Sequence, residues 1–161
     1  MATEKLKFKI ELYSTHWKNL PTAQIKINEK KISNVLSIDS NKEKPTLIEF
    51  EYSCEDNKEY KLIIDRQNKS NKDTIINEKG DILHDQLLHI KSIEIDEIDI
   101  GGLVFEGVYT PEYPEPWATL QKEKGIELPK TFKNVTQMGH NGTWTFTFTS
   151  PFYMWLLENL Y

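Results

Sequence analysis

The chain has one cysteine in 161 residues, Cys54, so no internal disulfide can form. Its neighbours Glu55 and Asp56 disfavour a thiolate and with it a nucleophilic or redox role. Arginine is almost missing: Arg66 stands alone against nineteen lysines. The seven glycines make no nucleophile elbow, phosphate-cradling loop or dinucleotide fingerprint, so hydrolase, nucleotide-binding and redox-cofactor classes lack their usual signals. No apolar run approaches the ~20 residues of a bilayer-spanning helix, and no membrane partner is expected. The opening Met-Ala-Thr-Glu-Lys holds no signal-peptide core, so no secretion signal is expected either. A net charge of −5 argues against a nucleic-acid backbone as partner. The four histidines, His16, His84, His89 and His140, show no i, i+4 zinc spacing; only His84 and His89 stand close enough to meet across a turn. With 25 acidic residues, pairing two carboxylates into a glycosidase site carries no information. The chain is therefore read as non-enzymatic.

What the sequence has in abundance is alternation. Leu6, Phe8, Ile10 and Leu12 alternate with Lys5, Lys7, Lys9 and Glu11, which predicts a half-buried strand over 5–13. Ala23, Ile25 and Ile27 predict a second strand, and 32–38 a third. Ile48, Phe50 and Tyr52, then Tyr60, Leu62 and Ile64, predict two more strands joined as a hairpin over 47–64. The run 87–100 resumes alternation, with a phase slip between Ile90 and Ile93 that predicts a bulge. Gly101-Gly102 breaks it, and 103–109 is expected as one more strand. Strands arrive about every ten residues without amphipathic helices between them. The expected fold is all-β: an antiparallel β-sandwich, jelly-roll-like, with at least eight strands and less than a fifth of the chain helical. Residues 1–108 are expected to form the sandwich core. Residues 109–161 supply a proline- and aromatic-rich segment, a final strand and a C-terminal helix packing on the same domain.

In that second part, Pro111, Pro114 and Pro116 favour an extended segment, with a short helix over 117–124 that Gly125 ends. His140-Asn141-Gly142 signals a turn. Trp144, Phe146 and Phe148 then alternate with threonines in a strand, and Ser150-Pro151 reads as N-cap and first helical residue. The helix from Phe152 to Tyr161 is apolar on nearly every side, so it is either the plug of its own core or a surface given to a partner. Its inner side is expected on Trp144, Phe146 and Phe148. Its outer side is expected under 109–129 or another subunit.

The candidate contact residues are aromatic. Trp17, Tyr109, Tyr113 and Trp117 sit in loops, where rings stack on sugar faces or fill partner pockets, and His140 and Trp155 join them from the terminal part. The competing reading buries these rings under the proline-rich segment. The polar stretch 68–85 offers Asn68, Asn71, Asp73, Asp81 and Asp85 as oxygen donors for calcium, without a fixed loop spacing.

Trp17 followed by Pro21 and a strand, the strand 59–65, and Leu88-x-Ile90-x-x-Ile93-x-Ile95-Asp96 after a polar loop make the first hundred residues resemble jelly-roll carbohydrate-binding modules of the calcium-dependent xylan-binding type. That resemblance implies glycan binding and makes calcium the alternative to the reading from the residues, in which 68–85 is a solvated loop and no cofactor is expected. Tyr113-Pro-Glu-Pro-Trp117, Gly125-Ile-x-Leu-Pro129, Gly139-His-Asn-Gly-Thr-Trp144 and Ser150-Pro-Phe-Tyr153 are similar to uncharacterised proteins of T4-like phages of marine cyanobacteria. That similarity implies a structural or attachment subunit of a virion, such as a capsid decoration or tail-associated protein. Its contacts would be with other virion subunits or itself, in the virion or the host cytoplasm. The alternative is a carbohydrate-binding module that uses loop aromatics on a surface glycan, with or without calcium.

Overall fold

Two antiparallel sheets face each other across one core of aliphatic and aromatic side chains. The computed structural model describes residues 2–70 and 72–159. In chain order the strands are β1 (Thr3–Thr15), β2 (Thr22–Ile27), β3 (Lys30–Lys31), β4 (Leu36–Ser37), β5 (Thr46–Glu55), β6 (Glu59–Gln67), β7 (Ile75–Ile76), β8 (Ile82–His84), β9 (Leu87–Ile95), β10 (Ile98–Asp99), β11 (Val108–Pro111), β12 (Gln137–Met138) and β13 (Gly142–Thr149). The helices are a 3-10 turn Gly101–Glu106, α1 (Trp117–Glu123) and α2 (Phe152–Asn159). One sheet runs β10-β9-β1-β5, with β12 also on β9; the other runs β11-β13-β6-β2-β3, with β4 also on β2. The architecture is the expected jelly-roll-like sandwich, with β7 and β8 as a separate small hairpin.

Alternation builds the core directly. Leu6, Phe8, Ile10 and Leu12 of the first sheet are buried opposite Tyr60, Leu62, Ile64, Trp144, Phe146 and Phe148 of the second. Phe8 meets Phe148 across the gap at 6.2 Å between ring centres. Each large side chain buried this way contributes ~1.5–3 kcal/mol of transfer free energy. The expected bulge is present: β1 and β9 shift register between Glu11 and Leu12, where Ser92 and Ile90 are the successive partners.

Several local expectations are corrected. β5 and β6 are not a hairpin. Among the described residues β5 pairs only with β1, while β6 pairs with β2 and β13, so the turn at 56–58 carries the chain from one sheet to the other. Period two shows which face of a strand is buried and is silent about its partner. The strand expected over 32–38 shrinks to the two-residue β4, with β3 before it. The run 87–100 is broken by a tight turn at Asp96-Glu97, both with positive φ, before β10. Residues 101–106 form a 3-10 turn, and the strand begins only at Val108.

Two glycines make the second sheet's edge possible. A Cβ on Gly107 would lie 2.2 Å from the Trp144 indole, and one on Gly142, at φ +152°, would lie 2.2 Å from the Thr110 carbonyl oxygen. Both helices begin after a cis proline, and both take a carboxylate where a side-chain cap is needed. Glu115 Oε2 accepts from the Thr119 amide (3.3 Å) and hydroxyl (2.5 Å) at the start of α1. Glu4 Oε2 accepts from the Phe152 amide (2.7 Å) and the Ser150 hydroxyl (2.5 Å) at the start of α2. Ser150 is thus not the expected N-cap, because its hydroxyl is committed to Glu4. Gly125 ends α1 at φ +78°, with its own amide on the Lys122 carbonyl and the Ile126 amide on that of Gln121.

α2 lays Phe152 and Leu156 into the core and sets Trp155 edge-on to Phe146 at 5.5 Å. Of the two covers expected for the outer side, 109–129 is not the one: Tyr153, Met154 and Leu157 are 58%, 57% and 43% exposed. Leu160 and Tyr161, counted in the apolar helix, lie outside the described residues.

Candidate functional site

β6 places Tyr60, Leu62, Ile64 and Arg66 on its inner face by simple alternation. The last of these, the chain's only arginine, is fully buried at one end of the core. Its fork donates to the Gln86 carbonyl (2.7 Å) and to Asn141 Oδ1 (3.0 Å). Burial lowers its pKa to about 10, against the opposing pull of Tyr109, Asp85 and Asp73, so it stays charged at neutral pH. Lysine has no planar fork with which to reach both acceptors. Gln86, also buried, donates to the carbonyls of Asn19 (2.9 Å) and Asn68 (3.1 Å). Among the described residues, Arg66 Nε and Gln86 Oε1 have no hydrogen-bond partner.

Around this centre the loop 67–86 is stitched to the turn 139–141. Asn141 accepts from the Lys69 amide (2.9 Å) and donates to the Lys69 carbonyl (3.0 Å). The Lys69 ammonium donates to Asp85 at 2.7 Å and to the Gly139 carbonyl. Asp85 also accepts from the Thr74 hydroxyl and the Gln86 amide, each at 2.8 Å. Burial pushes the Asp85 pKa up, and Lys69, Thr74 and Gln86 more than reverse it, so its net shift is downward. Asp73 accepts from the Ser70 amide (2.7 Å) and from Asn19 (3.2 Å).

These donors do not fit the calcium ion that the jelly-roll resemblance implies. Calcium needs six to eight converging oxygens. Here an ammonium already sits on Asp85, Asp73 is tied to its own loop, and Asp81 is paired with Asn77 on the β7–β8 turn. No group of three or more His, Cys, Asp or Glu among the described residues is arranged to hold a metal. Asn71, a candidate ligand, lies outside the described residues.

Above the network stands a cluster of rings. Tyr109 is buried, with its hydroxyl accepting from the His140 amide (2.8 Å) and donating to the His140 carbonyl (2.5 Å). Burial raises its pKa to about 12, so it is a fixed neutral donor. The His140 ring lies 5.2 Å from Tyr113, edge-on, and 5.7 Å from Trp117. Tyr113 and Trp117 are 6.1 Å apart, and the Tyr113 hydroxyl is pinned on the Pro129 carbonyl at 2.5 Å. Burial, with Lys69 and Arg66 nearby, lowers the His140 pKa, so its imidazole is neutral at pH 7. Trp117, the first residue of α1, keeps 36% of its surface exposed.

The sequence candidates thus fall into three places. Tyr109, Tyr113, Trp117 and His140 come together, with Tyr109 beneath as support and the other three forming the rim. Trp17 stacks instead on His84 at 4.7 Å, with Lys18 over its ring and its Nε1 donating to the Asp73 carbonyl at 2.8 Å. Asn19, Gln86, Arg66 and Asn141 link it to the first cluster through the buried network. Trp155 lies apart, on α2. His84 and His89 do not meet: His89 stacks on Tyr13 at 4.5 Å and bonds Thr15. Cys54 is buried, which pushes its thiol to about 12, with Glu4 adding to the shift.

Arg66, Gln86, Asn141 and Lys69 were missed as a group by sequence reasoning. One signal was available: a lone arginine, in a lysine-rich chain, on the apolar phase of a strand.

No family model and no curated protein matches the chain. No described helix is long and apolar enough to cross a membrane. Among solved structures the chain is similar to vCBM60, described in connection with two families of calcium-dependent carbohydrate binding modules. The identity is 6%, the match covers 88% of this chain and 89% of that one, and the TM-score is 0.49.

Proposed function

We propose that the chain is a non-catalytic carbohydrate-binding module whose contact surface is the Tyr113–Trp117–His140 rim. The observation that carries this reading is a set of rings fixed from below yet open above. The Tyr113 hydroxyl is held by the Pro129 carbonyl, the His140 backbone amide and carbonyl by the Tyr109 hydroxyl, and the Trp117 ring packs against the Tyr113 and His140 rings. Rings fixed before binding lose little entropy on contact, and the apolar faces of a sugar ring suit them. The Tyr109 and Tyr113 hydroxyls are already hydrogen-bonded to backbone carbonyls, which suits a fixed contact surface.

The test is a glycan array followed by titration of any hit. Trp117 is exposed, so Trp117→Ala should leave the fold intact and weaken binding at least about tenfold, roughly 1.4 kcal/mol. A wild-type chain that binds no glycan, or a Trp117→Ala variant that binds as well as wild type, overturns the reading.

A second reading is favoured by a different observation, the exposed Tyr153, Met154 and Leu157 side of α2. It makes the chain a structural or attachment subunit working through protein contacts, with other virion subunits or a second copy as partners, in the virion or the host cytoplasm. Apolar side chains grouped on one helix face suit an interface.

A further inference from the structure

β11 pairs with β13 from Gly142 to Thr145, and among the described residues no strand pairs with that edge of β13 from 146 onward. α2 follows β13 directly and packs against it. Trp155 is half-buried there, edge-on to Phe146 and stacked on Phe152 at 6.0 Å. Trp155 borders a depression of about 370 Å³, lined among others by Glu106, Val108, Thr145, Thr147 and Asn159. It also borders one of about 390 Å³, lined among others by Asn57, Thr149, Met154 and Glu158. Both share Trp155 as a wall, and together they follow the threonine row of β13. From Thr145 to Thr149 that row spans about 14 Å at ~3.4 Å per residue, with hydroxyls on one face.

We propose that this groove is a second carbohydrate site, which takes a neutral glycan chain along β13 with a sugar ring stacked on Trp155. The lining chemistry selects the ligand class. Three threonine hydroxyls each donate and accept, and Glu106 and Glu158 accept, as the hydroxyls of a sugar require. Among the described residues no lysine, arginine or histidine lines either depression, so a phosphorylated or sulfated ligand would meet carboxylates without a counter-charge. The aromatic wall gives the apolar sugar face its partner. The proposal shares its ligand class with the ring-rim reading and rests on it, but none of its residues belongs to that rim. A polysaccharide long enough to reach both sites would be held by avidity as well as affinity.

The experiment uses the full chain labelled with nitrogen-15 and soluble neutral hexasaccharides of β-1,4-linked xylose, glucose and mannose. The readout is the indole N–H signals of Trp117 and Trp155. At least one probe is expected to move both signals in a saturable way, and in Trp117→Ala the Trp155 signal should still move with its own midpoint. Trp155→Ala risks the fold, so Thr145→Val with Thr147→Val is the working variant. It keeps shape and strand preference, and should weaken the Trp155 response at least fivefold without moving the Trp117 midpoint. If Trp117 responds and Trp155 stays still, the groove is overturned and the rim reading stands. If Trp155 alone responds, the groove stands and the rim fails. Silence at both indoles for every probe, or an unchanged Trp155 midpoint in the double valine variant, overturns the groove.

Discussion

At the scale of the residue, the two groups that report on the ring cluster are His140 and Lys69. Burial depresses the His140 pKa below its ordinary value of 6.5. The unfolded chain therefore binds the proton first, and stability that is fully present above about pH 6.5 falls as pH drops toward the folded-state pKa. His89, also depressed by burial, has the same sign. Asp85 does not contribute in that window, since its pKa is lowered from 3.8. The urea midpoint should fall from pH 7 to pH 5, and His140→Asn should flatten part of that slope, while His89 continues to contribute. A slope identical to wild type would show that the ring is not desolvated as described. For Lys69, 11% exposed and paired with Asp85 at 19%, Lys69→Met strands a largely buried carboxylate. The expected cost is on the order of 2–4 kcal/mol, somewhat below the ~3–5 of a fully buried pair. Because that ammonium already occupies Asp85, millimolar calcium should leave the wild-type melting temperature unchanged. A rise with calcium that chelator reverses would contradict the donor assignments, since a ligand of the native state alone stabilises it.

At the scale of the element, α2 has two faces with different consequences. Phe152 and Leu156 are buried, and Leu156→Ala should cost ~2–5 kcal/mol, as for other core leucines. Tyr153→Ser and Leu157→Ser fall on the exposed face and should each change stability by no more than about 0.5 kcal/mol. If the protein self-associates, that pair should remove the association in sedimentation velocity while the circular dichroism spectrum stays the same. Loss of fold in the serine variants would show that the outer face is core. The elements themselves were legible wherever one face was apolar. β1, β2, β6 and β13 follow from period two, the β9 bulge from its phase slip, and the end of α1 from Gly125. What alternation does not encode is partnership. β5 and β6 look like a hairpin because both are half-buried and the turn is short, but each joins a different sheet. The helix caps were hidden for a related reason. Glu4 lies 146 residues from the Ser150 hydroxyl it holds, and no local pattern announces it. The ring cluster was partly legible as loop aromatics, whereas its support by Tyr109, Asn141 and Arg66 depends on contacts 31 and 75 residues apart.

At the scale of the whole molecule, the last third of the chain is woven into both sheets. β12 adds to β9 in one sheet, and β13 lies between β6 and β11 in the other. Trp144, Phe146 and Phe148 are three of the largest fully buried side chains, and Phe148 contacts both Phe8 of the facing sheet and Phe152 of α2. A fragment ending at residue 108 would lose the strand that pairs with all of β6 from Glu59 to Arg66, together with those three rings. At ~1.5–3 kcal/mol per large apolar side chain, the rings alone account for roughly 5–9 kcal/mol of transfer free energy. That is comparable with the ~5–15 kcal/mol that holds a typical domain folded. The uncovered edge of β6 would also offer a long unpaired template to other chains. Expressed alone, residues 1–108 should therefore be insoluble or collapsed without fixed packing: far-ultraviolet dichroism of a β-rich chain, no near-ultraviolet signal and poor amide dispersion. The intact chain should unfold in a single transition by both probes, with no separate melting of a C-terminal part. A 1–108 fragment with dispersed amides and a cooperative melt would show that the sandwich closes without β13, and that the later strands were added to a core already complete.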